Sequence, residues 1–270
     1  MADAERSGAF GGAEQQKGAG LRIVNAELGY GKAPLIEPTK HGYVYMAASV
    51  QPGRFPLVLP SAGRARLVAK LKVLAEQLED IRAVVKATVF RAIVVPPTAR
   101  FSSYLKERGA SLHRASFDVV VLIETTSPTT VREVQGTAPY AKMLESMRTA
   151  TDIVWTLVAR NARRIGDVDT MRQGLFLFNH FVAQDPAVML QLWDYLAGWY
   201  VEETGLDNSI ALVPVDGQAS DYAIIHWARW DVSPLRHFWH QVSKESFWKY
   251  VTANLDANRA ASMPIYHRLA

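Results

Sequence analysis

An apolar strand-like run, an amphipathic helical stretch, two further strand-like runs and a helix opened by Ser-Pro follow one another twice along this chain, in the same order. Agreement of that length between two halves points to duplication, and each half is a unit with one apolar sheet face to cover. In the first half, residues 42 to 50 (GYVYMAASV) read as a buried strand that ends before Pro52-Gly53. Between Ser61 and Asp80, Leu67, Val68, Leu71, Leu74 and Leu78 recur at helical spacing, with Arg64, Lys70, Lys72, Glu76 and Glu79 largely opposite. Residues 81 to 95, stopped by Pro96-Pro97, and residues 117 to 125 are the next two strands. Ser127-Pro128 then starts a helix, interrupted near Pro139, that runs towards Arg164.

The second half repeats this. Residues 174 to 183 (GLFLFNHFVA) form a strand, and Asp185-Pro186 caps a helix with Val188, Met189, Leu192, Trp193, Leu196, Trp199 and Tyr200 on its apolar stripe. Strands at 210 to 215 and 222 to 230 meet around Asp216-Gly217, and Ser233-Pro234 opens the last helix. The expected fold class is therefore α+β: two tandem ferredoxin-like βαββα modules, residues 40–166 and 172–270, whose sheets pack face to face as an internal pseudo-dimeric α+β barrel. Residues 1–22, rich in Gly and Ala and lacking an apolar core behind a basic start, are expected to be a disordered tail.

Composition narrows the chemistry. With no cysteine in 270 residues, disulfides, iron–sulfur clusters, thiolate zinc sites and cysteine nucleophiles are excluded. A formal charge of +4 is too small for a nucleic-acid footprint. An RNA-binding module shares the strand order, and Leu175 to Asn179 fits its first-strand pattern, but Ser220 and Asp221 stand where its third strand needs a basic residue and glycine. Nucleic acid is thus disfavoured as a partner. No run reaches membrane-spanning length, and the cytoplasm is the expected compartment. There is no phosphate-binding glycine loop and no serine elbow. The role of the basic stretch 98–116, lid or surface connection, stays open, as does association with a second copy of the chain.

Five of seven His and six of seven Trp lie after residue 170, so a single active cavity would be lined by the second module. Asn179 and His180 point to opposite faces of their strand, and an Asn in an otherwise apolar run needs either a hydrogen-bond partner or a function. His226 shares a face with Ile224, Ala228 and Trp230 and is an acid–base candidate near neutral pH. His237 and His240, three apart on the last helix, could both contact a metal, but no third ligand stands at a diagnostic spacing, so no metal is expected.

Residues 172 to 268 resemble the antibiotic-biosynthesis monooxygenase family of dimeric α+β barrels, which includes haem-degrading members. Asn179 in FLFNHFVAQDP matches an Asn late in the first strand, and Trp230 and Trp239 in WDVSPLRHFW match a strand-ending Trp and a helix aromatic. The haem-binding branch carries a His one to two turns beyond the helix aromatic, where this chain reads SFWKYV. The resemblance therefore implies a cofactor-independent monooxygenase acting on an aromatic or polyketide-like small molecule, with Asn179, His226 and His240 catalytic. His180, Trp227, Trp230, His237, Trp239 and Tyr250 are the expected substrate-binding residues. No cofactor is expected, haem being the alternative; a non-catalytic ligand-binding barrel of the same fold is the other reading. The first module, with Ala47 or Ala48 and Glu124 near the matching positions, is expected to be structural.

Overall fold

The computed structural model describes residues 20–50 and 56–270. Eight strands close into one antiparallel barrel: β1 (Gly42–Ala48), β2 (Val84–Val94), β3 (Val119–Thr125), β4 (Val154–Gly166), β5 (Leu175–Ala183), β6 (Ser209–Pro214), β7 (Ile224–Trp230) and β8 (Ala260–Leu269). Pairing runs β4-β1-β3-β2 in the first half and β8-β5-β7-β6 in the second, the same order twice. Two seams, β2 with β8 and β4 with β6, join the halves and leave no free edge.

The helices form where capping and apolar spacing agree. The helix α1 (Ala62–Glu79) starts at Ser61, whose side chain accepts from the Arg64 amide, and buries Leu67, Leu71, Leu74 and Leu78. A short α2 (Ser103–Arg108) lies within the 98–116 connection. The expected helix after Ser127-Pro128 is split into a 3₁₀ turn, α3 (Val131–Gln135) and α4 (Ala138–Ala150), with the break at Gly136-Thr137. It stops at Ala150: the residues towards Arg164 form strand β4, which supplies β1 and β6 with a partner. In the second half, α5 (Pro186–Thr204) is capped by Asp185, which accepts from the Ala187 and Val188 amides, and ends on Gly205 in the left-handed region at φ 66°. Ser233 likewise caps α6 (Pro234–Val242), and a π-helical turn (Phe247–Thr252) leads into α7 (Ala253–Ala257).

Strand alternation sorts the apolar residues into three layers. The barrel interior holds Tyr45, Phe90, Phe176, Phe178 and Trp227; α1 and α4 cover one outer sheet face, and α5 with the π turn covers the other. The expected tail falls outside the described residues up to residue 19; from Leu21 onwards the chain is packed. Residues 21–33 cross the helical layer of the second half: the Val24 amide donates to Asn254 Oδ1, the Gly31 amide to Glu202 Oε1 and the Tyr30 hydroxyl to Glu203 Oε1. Pro52 and Gly53 also lie outside the described residues. No helix among the described residues is long and apolar enough to cross a membrane.

Candidate functional site

Asn179 on β5 and His226 on β7 are directly opposite in register, and both project to the outer, helix-covered face, with Leu177, Phe181 and Ala228 as same-face neighbours. They line a small cavity between sheet and helices, roofed by Trp193, Leu196, Ala197 and Tyr200 of α5 and by Val251 of the π turn. Its volume is about 20 Å³, room for one water molecule. The two polar side chains differ in how they are satisfied. His226 Nε2 shares a hydrogen bond of 2.9 Å with Ser209 Oγ on the adjacent β6, and its ring meets Trp193 edge-on at 5.7 Å. Asn179 is 5% exposed, and its Oδ1 has no partner. A buried amide oxygen left unpaired is costly, which makes it a ready acceptor for an incoming hydroxyl or water.

Burial pushes the His226 pKa down to about 3, so the imidazole is neutral throughout the ordinary pH range. When Nε2 donates to Ser209 Oγ, Nδ1 of the neutral imidazole is free to accept a proton; when Nε2 accepts from Ser209, Nδ1 carries the hydrogen and donates.

The other expected site residues do not gather here. His180 and Trp227 alternate with Asn179 and His226 and point into the barrel interior. His180 Nδ1 donates to the Met263 carbonyl at 3.2 Å, so Nε2 accepts from the Tyr45 hydroxyl at 2.8 Å; burial holds this ring neutral, its pKa pushed down to about 4. Trp230, His237 and Tyr250 are buried in the helical layer around the cavity without lining it: the Trp230 and His237 rings lie 4.4 Å apart, and Tyr250 stacks on Tyr195 at 4.7 Å. Trp239 is 63% exposed, and exposed His240 hydrogen-bonds the Glu203 carbonyl oxygen at 2.7 Å. Both lie away from the cavity for one reason. The buried face of α6 runs through His237 and Gln241, four apart, which turns Trp239 and His240 to the outside. Replacing Trp239 with Ala should therefore change stability by no more than about 0.5 kcal/mol, as read from urea melts.

The roof of the cavity and the partner of His226 are not legible in the sequence. Trp193, Leu196 and Tyr200 appear there only as packing and Ala197 not at all, although their spacing puts all four on one helical face over the strand carrying Asn179. Ser209, the partner of His226, is set by the β6–β7 register, which pairs Ala211 with His226.

The closed eight-stranded antiparallel barrel with helices outside is a fold shared with solved structures. An anthrone oxidase-like protein superposes over 88% of this chain and 94% of its own, with a TM-score of 0.58 at 10% identity. A proposed monooxygenase from Fusobacterium nucleatum covers 87% of this chain and 94% of its own, with a TM-score of 0.52 at 7% identity. At these identities the likeness shows the fold. No family model matches the sequence, and no curated protein matches it.

Proposed function

We propose that this chain is a cofactor-independent oxygenase of the antibiotic-biosynthesis monooxygenase type, acting on an aromatic small molecule with an activated CH₂ group. Its barrel is read as two ferredoxin-like modules, residues 40–166 and 172–270, in an internal pseudo-dimer whose second half is the active one; the repeated strand order supports this. The observation that carries the function is the unpartnered Oδ1 of Asn179 beside a neutral His226 in a buried, apolar cavity. The architecture shared with an anthrone oxidase-like protein is in keeping with it.

In this reading Asn179 orients the substrate by accepting from its phenolic hydroxyl, and His226 takes a proton from the CH₂ group. Burial makes the imidazolium a poor cation, so the transfer works when the substrate anion is formed beside it. The carbanion passes one electron to O₂, the radical pair joins as a hydroperoxide, and loss of water leaves a carbonyl. One CH₂ and one O₂ thus become one C=O and one H₂O. Since the cavity holds a single water, α5 and the π turn must part to admit the substrate.

Oxygen uptake with 1,8-dihydroxyanthrone, an anthrone carrying both the phenolic hydroxyl and the activated CH₂, is the test. One O₂ consumed per anthrone without added flavin, nicotinamide or metal is expected, with Asn179→Ala and His226→Gln each lowering kcat/KM about 100-fold. Uptake no faster than in buffer, or equal rates in folded variants, would sink the proposal.

A further inference from the structure

The interior of the barrel has two ends, and they are built differently. Where Ala48 pairs with Val119, the 98–116 connection folds over the opening: Tyr104, Leu105, Leu112 and Ala115 are buried against the interior apolar residues, and His113 Nδ1 is hydrogen-bonded to the Tyr222 hydroxyl at 2.9 Å. This end is plugged.

At the opposite end, where Gly42 pairs with Thr125, a cleft of about 510 Å³ opens, within the range of small-molecule sites. Its walls include the aromatic side chains of Tyr43 and Trp227 together with Ile210, all part of the interior layer. Trp227 is 1% exposed, yet its indole Nε1 has no acceptor. Arg164, also in the lining, donates through Nη1 to Asp167 at 2.7 Å, while its buried Nε has no acceptor. Exposed Lys40 adds a positive charge to the lining. Glu124, the inward-facing acid, sits 3.6 Å from His41 Nδ1, and Asp167 is already paired with Arg164. Two of the unmet groups, the Trp227 indole and Arg164 Nε, are donors set beside aromatic faces, and what they lack is acceptor oxygens; the third, His41 Nδ1, faces Glu124.

We infer that the open mouth of the barrel binds a small aromatic carboxylate, its ring against Trp227 and Tyr43 and its oxygens accepting from the Trp227 indole and Arg164 Nε. This site is distinct from the Asn179 cavity: Trp227 and His226 are adjacent on β7 and face opposite sides of the sheet. It does not depend on the oxygenase reading.

The test follows the indole N–H resonances of the intact ¹⁵N-labelled chain during titration with 2-naphthoate. The Trp227 signal is assigned by its loss in Trp227→Phe or, independently, by its Overhauser contacts with Phe178, whose ring stacks on it at 6.1 Å. The expected result is a saturable shift of this signal, weakened about ten-fold by Arg164→Lys, which keeps the charge but loses the Nε donor, and unchanged by Asn179→Ala. The neutral analogue 2-naphthalenemethanol should bind about ten-fold more weakly. A Trp227 signal unmoved at millimolar naphthoate, equal binding of the alcohol, or binding abolished by Asn179→Ala would overturn the inference.

Discussion

Between about pH 7.5 and pH 5.5 the protein is expected to lose roughly 5 kcal/mol of stability, a large part of what a domain possesses. The cause is four histidines shut away from water. Burial pushes the pKa of His180 and His237 down to about 4, and of His226 and His267 down to about 3, from an ordinary value of 6.5. Because each folded-state value lies below the unfolded one, the unfolded chain binds more protons between pH 6.5 and about 3 to 4. Their contribution is therefore fully present above pH 6.5 and drains away as the pH falls through that window, at about 1.4 kcal/mol per histidine per pH unit. Urea melts at half-unit pH steps read this directly. A midpoint flat from pH 7.5 to 5.5 would mean that the histidines are hydrated or charged in the folded state. Replacing His267, whose Nε2 has no partner, with Phe should flatten the slope by about one quarter.

Gly198→Ala should be the most disruptive single-methyl change in the second half. Gly198 lies on α5 where residues 29–33 cross it, and a Cβ there would come within 1.7 Å of the Gly31 carbonyl oxygen. Backbone cannot yield as a side-chain tip can, so the crossing segment must lift, losing the Tyr30 contacts with Glu203 and Tyr250 and the Gly31 hydrogen bond to Glu202. The expected cost is about 3 kcal/mol, read as a fall in Tm of about 9 °C. Limited proteolysis should at the same time cleave between residues 20 and 40 well before the barrel. Wild-type protection of that segment in the variant would show that α5 moves instead.

How much of this could be read from the sequence depended on whether local signals coincided. The helices α1, α5 and α6 start at Ser61, Asp185 and Ser233 because each side chain accepts from first-turn amides, and the apolar spacing that follows agrees. Strands β4 and β8 are not legible in the sequence. Residues 159–164 of β4 read Ala-Arg-Asn-Ala-Arg-Arg, which suits a helix; the stretch is extended because β1 and β6 both need a partner there. Pro264 argues against a strand at β8, but the β2–β8 pairing runs only from Tyr266 to Leu269, so the proline's missing donor leaves no gap on that side. Period-two alternation was enough to place His226 with Trp230 on one face, and to separate Asn179 from His180. It could not reveal which face had a cavity, because that depends on how α5 packs. On α6 the His237–His240 spacing suggested one shared face, and only the packing of the helix shows that the buried line passes through Gln241 instead.

Both seams of the barrel are made within a single polypeptide. Dilution therefore cannot take this barrel apart, whereas an assembly of two separate chains falls into halves below its dissociation constant. Covalent linkage also frees each half from having to match the other. One half can keep Asn179 and His226 behind its helices while the other packs apolar residues such as Val44, Met46, Val89 and Val121 against α1 and α4.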